Sequence, residues 1–319
     1  MNIIFTICSA NYLASAKTLQ QSVLMHNPGN KFIYIIADKI NNRIPLEFFE
    51  GVEFIEAENL EIPYFTEILN NYNLTEFNTA IKPFAIEYLH KKYNAEKFIF
   101  FDPDIIVFKN VDFIWDHLNT YDFIVTPHLL EPIVNEEFYH HQVAALNTGI
   151  FNFGFVAFNY SNNTEKIISW WKHHMINHGH SNSIIGEFYD QKIMNLLPIY
   201  TDKLLILKNP GCNVAGWNVH ERTITKTNNG YLVNNTELIF YHYSGFIFDN
   251  SSNFISKHNN LKIENNKFIK EILDLYRNGL KQNQHETLVN LKCYYKLKPD
   301  IHRSNRFSII IHKLSKLFN

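Results

Sequence analysis

The chain has 319 residues, 46% hydrophobic and 15% aromatic, which supports one large domain with appendages or two small ones and excludes global disorder. Lys and Arg number 29 against 31 Asp and Glu, a formal net charge of -2, so no basic excess points to nucleic acid. Three cysteines, Cys8, Cys212 and Cys293, are an odd number without framework spacing, which suits a reducing cytosol better than secretion.

Residues 2–8 read as a first strand. The chain start has no basic region, and its apolar run is too short for a signal peptide or a membrane span. Residues 12–26 have helical periodicity through Leu13, Ala16, Leu19, Val23 and Leu24, and Asn27-Pro28-Gly29-Asn30 ends that helix. Residues 31–37 and 52–57 are strands, 79–91 a helix, and 97–101 a buried strand. That strand delivers Asp102-Pro103-Asp104, followed at once by the apolar run 105–108. Two carboxylates at the carboxyl end of a core strand lie where open α/β sheets form their ligand crevices. Burying two like charges there calls for a positive partner, and hard oxygen ligands suit Mg²⁺ or Mn²⁺.

Further on, residues 122–126 form a strand, 127–141 an irregular loop, and 149–152 and 155–159 two strand-like runs. A helix is expected over 164–178 and a shorter one over 189–197, with strands at 203–207 and 238–243. Strands alternating with helices predict an α/β fold with a mainly parallel, doubly wound sheet. After about Ser251 the sequence turns polar and helical, which divides the chain into a catalytic domain over 1–250 and a helical extension over 251–319. In the tail, Arg303, Arg306, Lys313 and Lys316 alternate with Phe307, Ile310, Ile311, Leu314, Leu317 and Phe318. Such a basic amphipathic helix either lies on an anionic membrane surface or packs on the domain.

Several motifs together resemble family 8 glycosyltransferases, the glycogenin-like and lipopolysaccharide-galactosyltransferase-like group with the GT-A, Rossmann-like nucleotide-diphospho-sugar transferase fold. Asn11-Tyr12 follow the first strand as in that family, where the Tyr stacks on uracil; the acidic residue usual just before them is replaced by Ser9-Ala10. Lys82 stands where the family keeps a basic residue facing the donor, and Asn147-Thr148-Gly149 resembles its Asn-X-Gly segment, whose Asn bonds donor-sugar hydroxyls. Asp190-Gln191 resembles the Asp-Gln pair, which makes Asp190 a ligand of sugar hydroxyls and Gln191 a neighbour of the anomeric carbon. His242-Tyr243-Ser244-Gly245 is similar to the His-X-X-Gly whose His is the third protein ligand of the metal, beside Asp102 and Asp104. Two carboxylates and one imidazole favour Mn²⁺ over Mg²⁺. The family's following Lys-Pro-Trp is replaced by Phe246-Ile247-Phe248-Asp249, a mark of a divergent branch.

The resemblance implies a metal-dependent enzyme that moves a sugar from a nucleotide-diphosphate sugar, expected to be a UDP-hexose, to a glycan or glycolipid acceptor with retention. Donor contacts fall to Asn11, Tyr12, Lys82, Asp102, Asn147 and Gly245, and metal contacts to Asp102, Asp104 and His242. A cytoplasmic enzyme with a basic tail suits lipid-linked intermediates of bacterial surface polysaccharide at the inner membrane face. A sugar-1-phosphate nucleotidyltransferase is disfavoured by the absence of a glycine-rich turn at Ser9-Ala10-Asn11-Tyr12. A carbohydrate-binding protein without turnover is disfavoured by the intact Asp pair, His242 and Asp190. Trp217 can serve as a sugar platform, with His220 or Arg222 as phosphate contacts. The loop carrying Glu136, Glu137, His140 and His141 can form an acceptor wall or lid. His174 and His178 stand at zinc-like i and i+4 spacing, but no acidic or cysteine partner accompanies them.

Overall fold

A computed structural model describes residues 1–182, 185–249, 251–252, 254–258, 261–263 and 267–299. The basic tail from Arg303 lies outside these residues.

Seven strands form the central sheet. Its first three, β1 (Asn2–Cys8), β2 (Lys31–Ile36) and β3 (Glu53–Glu56), run parallel to one another and to β4 (Lys97–Phe101). Beyond β4 lie β7 (Phe151–Asn159), then β6 (Phe123–Pro127), then the edge strand Leu204–Ile206. Strand β7 is antiparallel to both neighbours, so the sheet is mainly parallel with one reversed strand. Both faces are covered. Alternation along β1 and β4 sends Ile4, Cys8, Ile99 and Phe101 to one apolar cluster and Ile3, Phe5, Ile7, Phe98 and Phe100 to the other.

A second, three-stranded sheet shapes the site. In it β5 (Ile105–Val107) pairs antiparallel with Phe240–His242, which pairs parallel with Val214–Ala215. A further small antiparallel sheet of Ile224–Thr227, Gly230–Val233 and Thr236–Glu237 was not foreseen, because its strands are short and largely exposed.

Four local expectations change, the first being the helix expected over 189–197, which begins only at Ile193 as a 3-10 turn, Ile193–Leu196, continued by Leu197–Tyr200. The runs at 149–152 and 155–159 are one strand, β7, whose register against β6 slips between Val125 and Thr126 in a bulge. The helix expected over 79–91 is two helices, Leu74–Ala80 and Lys82–Tyr93, parted at Ile81. Pro83 in the first turn of the second has no N–H to continue the hydrogen-bond ladder, and it makes Lys82 a helix-start residue. The loop from 127 gives way to a helix, Tyr139–Thr148, on which His141 is the one buried side chain.

The helix Lys267–Gln282 packs on the helix Leu13–His26 (α1) and contributes Ile269, Ile272, Leu273, Tyr276 and Leu280 to the same apolar cluster as Ile4.

Candidate functional site

Asp102 and Asp104 flank Pro103 in the short link from β4 to β5, so the chain turns from the main sheet into the small one at the carboxyl end of β4. Backbone pairing holds each in place. The Asp102 N–H donates to the Gly154 carbonyl at 2.7 Å, and the Tyr243 N–H donates to the Asp104 carbonyl at 2.8 Å. The second bond, with His242 opposite Ile105 in the ladder, brings the imidazole to the carboxylates. His242 Nε2 lies 3.2 Å from an Asp104 oxygen and 3.8 Å from an Asp102 oxygen.

Among the described residues, Asp102, Asp104 and His242 are the one group of three whose ligand atoms converge closely enough to hold a metal ion, all within 4.8 Å of one another. The packing fits such a centre. A Cβ placed on Gly154 would stand 2.4 Å from His242 Cε1 and 2.7 Å from an Asp102 oxygen, so only glycine lets β7 approach these two ligands so closely. Burial lifts the Asp102 carboxyl to about 6, against the pull of Lys82 and His242. Burial also acts on Asp104, but the neighbouring His242 outweighs it and holds that carboxyl below its usual range. Burial would lower His242, yet Asp104 and Asp102 raise it above the ordinary imidazole value. These opposed shifts are those of a site built around charge.

Lys82 and Asp190 form a buried ion pair beside it. Lys82 Nζ lies 2.7 Å from Asp190, with the side chains 2% and 3% exposed, and also donates to the Phe153 carbonyl at 3.0 Å. Its ammonium sits 4.3 Å from the centre of the Phe100 ring. Lys82 is thus a fixed internal cation rather than a solvated one. Burial raises the Asp190 carboxyl, with Lys82 opposing the rise.

Gln191 is buried beneath β7: its Oε1 accepts from the Phe153 N–H at 3.1 Å and from Asn152 Nδ2 at 3.3 Å, while Nε2 donates to the Thr148 carbonyl. Tyr12 ends the turn after β1, partly exposed, close enough to the acidic pair that burial, then Asp104 and Asp102, push its hydroxyl up to about 12. Asn11 stands in the same turn and accepts from Ser9 Oγ at 2.6 Å. Gly245 has φ +69 and accepts from the Lys257 N–H, and a Cβ there would meet His258 and Ser256.

Asn147 is placed differently. It lies exposed on the helix Tyr139–Thr148, with no hydrogen bond to the metal-site residues among those described. Five residues on, Asn152-Phe153-Gly154 repeats the Asn-X-Gly spacing inside β7, and this copy faces the centre. Asn152 Nδ2 approaches His128 Nε2 at 3.3 Å, and its Oδ1 accepts from the Gly154 N–H at 3.1 Å and from Asn213 Nδ2 at 3.0 Å. The repeated motif was the signal available in the sequence. Asn213 was marked only as the start of the polar and aromatic run that ends at Arg222, and His128 carried no signal.

Arg222 does not face a phosphate position: it is buried and donates to the Pro210 and Cys212 carbonyls. Trp217 packs edge-on against His242, ring centres 5.1 Å apart, and against His128. His220 stacks between Phe138 and His141. His178 pairs with Glu187 rather than sharing an ion with His174.

No family model matches the chain. A curated relative, the uncharacterized protein YfnD of Bacillus subtilis (strain 168), is 25% identical over 201 residues, and the match spans 62% of each chain. Among solved structures, the apo form of the glycosyltransferase GlyE of Streptococcus pneumoniae TIGR4 superposes with a TM-score of 0.52 at 15% identity, covering 90% of this chain and 64% of that one. Galactosyltransferase LgtC in complex with donor and acceptor sugar analogs matches with a TM-score of 0.43 at 17% identity, covering 76% and 87%. The likeness to GlyE shows the fold: the chain has the GT-A architecture of the glycosyltransferases. A fold is shared by many chemistries, so the function rests on the site.

Proposed function

We propose that the protein is a metal-dependent glycosyltransferase that moves a hexose from a UDP-hexose to a glycan or glycolipid acceptor, with retention, in bacterial surface-polysaccharide synthesis. The observation that carries this reading is the convergence of Asp102, Asp104 and His242 at one strand-end crevice, beside the buried Lys82–Asp190 pair. The three ligands would hold Mn²⁺, or Mg²⁺, which supplies charge neutralisation for a departing diphosphate.

The chain's own residues do the positioning. Tyr12, exposed beside the acidic pair, offers a face for uracil, with Asn11 in the same turn. In this reading Asp102 also contacts the ribose. Asp190, held by Lys82, presents a rigid carboxylate to sugar hydroxyls, and Asn152 takes the sugar-facing place that Asn147 does not occupy. Gln191, fixed by the Phe153 N–H and the Thr148 carbonyl, is the residue that this reading sets beside the anomeric carbon. Gly245, at φ +69, turns the chain just after His242 and packs against His258 and Ser256; in this reading its backbone is the donor contact of the His-X-X-Gly segment. Catalysis in such a site comes from orientation and from preorganised charge opposite the leaving group.

The test is UDP release from a panel of UDP-hexoses with Mn²⁺, in wild type and Asp104→Ala. Release that needs Mn²⁺ and falls at least about 100-fold in the variant supports the reading, on the scale expected for losing one charge-stabilising group. Equal rates in the two proteins, or in wild type with and without chelator, would overturn it.

A further inference from the structure

Resting on the metal-binding reading above, we propose that Asn213 is a positioning residue: it holds a ring proton on His242 Nδ1, so that Nε2 is the nitrogen left to face the crevice of Asp102 and Asp104 and to bind a metal ion there.

The argument is one of proton accounting along a buried chain of amides. The Gly154 backbone N–H is a donor only, and it reaches Asn152 at 3.1 Å, so the atom it meets is the Asn152 oxygen. That oxygen lies 3.0 Å from Asn213, so the Asn213 atom facing it is the donating Nδ2. Nδ2 also donates to Thr126 Oγ1 at 2.7 Å. The other Asn213 atom, Oδ1, is an acceptor, and it stands 3.3 Å from His242 Nδ1. Nδ1 must therefore carry the hydrogen.

The far end of the relay agrees independently. Asn152 Nδ2 faces Gln191 Oε1, which is identified as an oxygen because it also accepts from the Phe153 N–H. Gln191 Nε2 then donates to the Thr148 carbonyl. Two backbone N–H groups and one backbone carbonyl thus orient every amide between them, and the last link sets the tautomer of His242.

Burial makes this orientation costly to lose. Asn213 is 1% exposed, Asn152 7% and Gln191 9%, so a flipped amide would strand donors against donors away from water. Asn213 is itself pinned, with φ +55 in the left-handed region that asparagine tolerates, and its carbonyl accepts from Asn218 Nδ2. A metal-ligating imidazole needs its other nitrogen satisfied in this way to present its lone pair and hold its ring plane. Asn213 touches no reacting atom; it acts through His242.

The test substitutes Asn213→Gly, which keeps the left-handed backbone unstrained while removing the acceptor. Two readouts are taken on the full chain: the ¹⁵N–¹H signal of His242 Nδ1 in the metal-free protein, and Mn²⁺ affinity by electron paramagnetic resonance. In wild type Nδ1 should carry a slowly exchanging proton, whether or not Nε2 is also protonated against Asp104; in the variant that proton should exchange fast, the neutral ring should shift toward Nε2–H, and Mn²⁺ affinity should fall about 10- to 100-fold. A variant that melts earlier but keeps the wild-type tautomer, or keeps wild-type Mn²⁺ affinity, would overturn the proposal and leave Asn213 a structural residue. Wild-type protein that fails to bind Mn²⁺ would instead overturn the metal reading, and the nitrogen signals would still decide the tautomer.

Discussion

At the scale of single residues, Gly154 carries the sharpest constraint. The three candidate ligands come from two elements, and β7 lies against two of them, His242 and Asp102, with room for a hydrogen but not for a methyl group. A Cβ at 2.4 Å from His242 and 2.7 Å from Asp102 would push apart atoms whose separation defines the site. Gly154→Ala is therefore expected to keep a folded sheet while lowering Mn²⁺ affinity at least about 10-fold, the scale of disturbing a metal's supporting contacts. Calorimetry with Mn²⁺ checks this, and wild-type affinity in the variant would show that the crevice yields more easily than its packing implies. The sequence made Asp102, Asp104, His242, Lys82 and Asp190 legible, because charged residues beside apolar strand runs are unusual enough to be noticed. His128 was not legible, and Asn213 was legible only as the start of a polar and aromatic run, not as a partner of His242. Each is an ordinary polar residue until the fold brings it within hydrogen-bond reach of a distant partner.

At the scale of elements, sequence periodicity found β1, β2, β4 and α1 because their apolar runs are unbroken and bounded by turn residues. It divided β7 in two because Phe153 and Gly154 interrupt the pattern, and that interruption is the bulge that shapes the site. It ran one helix through Ile81, where the chain needs two so that Lys82 begins the second and points its ammonium at Asp190. The helix Lys267–Gln282 is the element whose packing bears most on where the catalytic unit ends. Ile272, fully buried, lies in the same cluster as α1, and Tyr276 stacks on Tyr243, next to the ligand His242, with ring centres 4.1 Å apart. Ile272→Ala should cost about 2–5 kcal/mol of stability, as for other fully buried branched side chains. Denaturant unfolding measures this directly, and a cost below about 0.5 kcal/mol would mean that this helix is not part of the core.

At the scale of the whole molecule, near-neutral charge and a large apolar fraction agree with a two-faced α/β core, and among the described residues no helix is long and apolar enough to cross a membrane. Histidines give the fold a dependence on acid that composition alone does not reveal. His141 is buried against His140 and His220, and burial, then those two neighbours, lower its pKa to about 4. An imidazole in the unfolded chain protonates near 6.5, so the unfolded state takes up the proton first. The stability that neutral His141 contributes is present above about 6.5 and is lost as pH falls toward about 4. The stability difference between wild type and His141→Gln should therefore shrink across that window in denaturant titrations. A difference that stays constant from pH 7 to pH 4 would show that His141 titrates as it does in the unfolded chain.

The central claim is that Asp102, Asp104 and His242 form a metal-dependent nucleotide site. Calorimetric titration of UDP into the protein, with and without Mn²⁺, for wild type and Asp104→Ala, tests it most directly. The account predicts UDP binding that requires Mn²⁺ and disappears in the variant. UDP binding of equal strength without metal, or unchanged by Asp104→Ala, would contradict it.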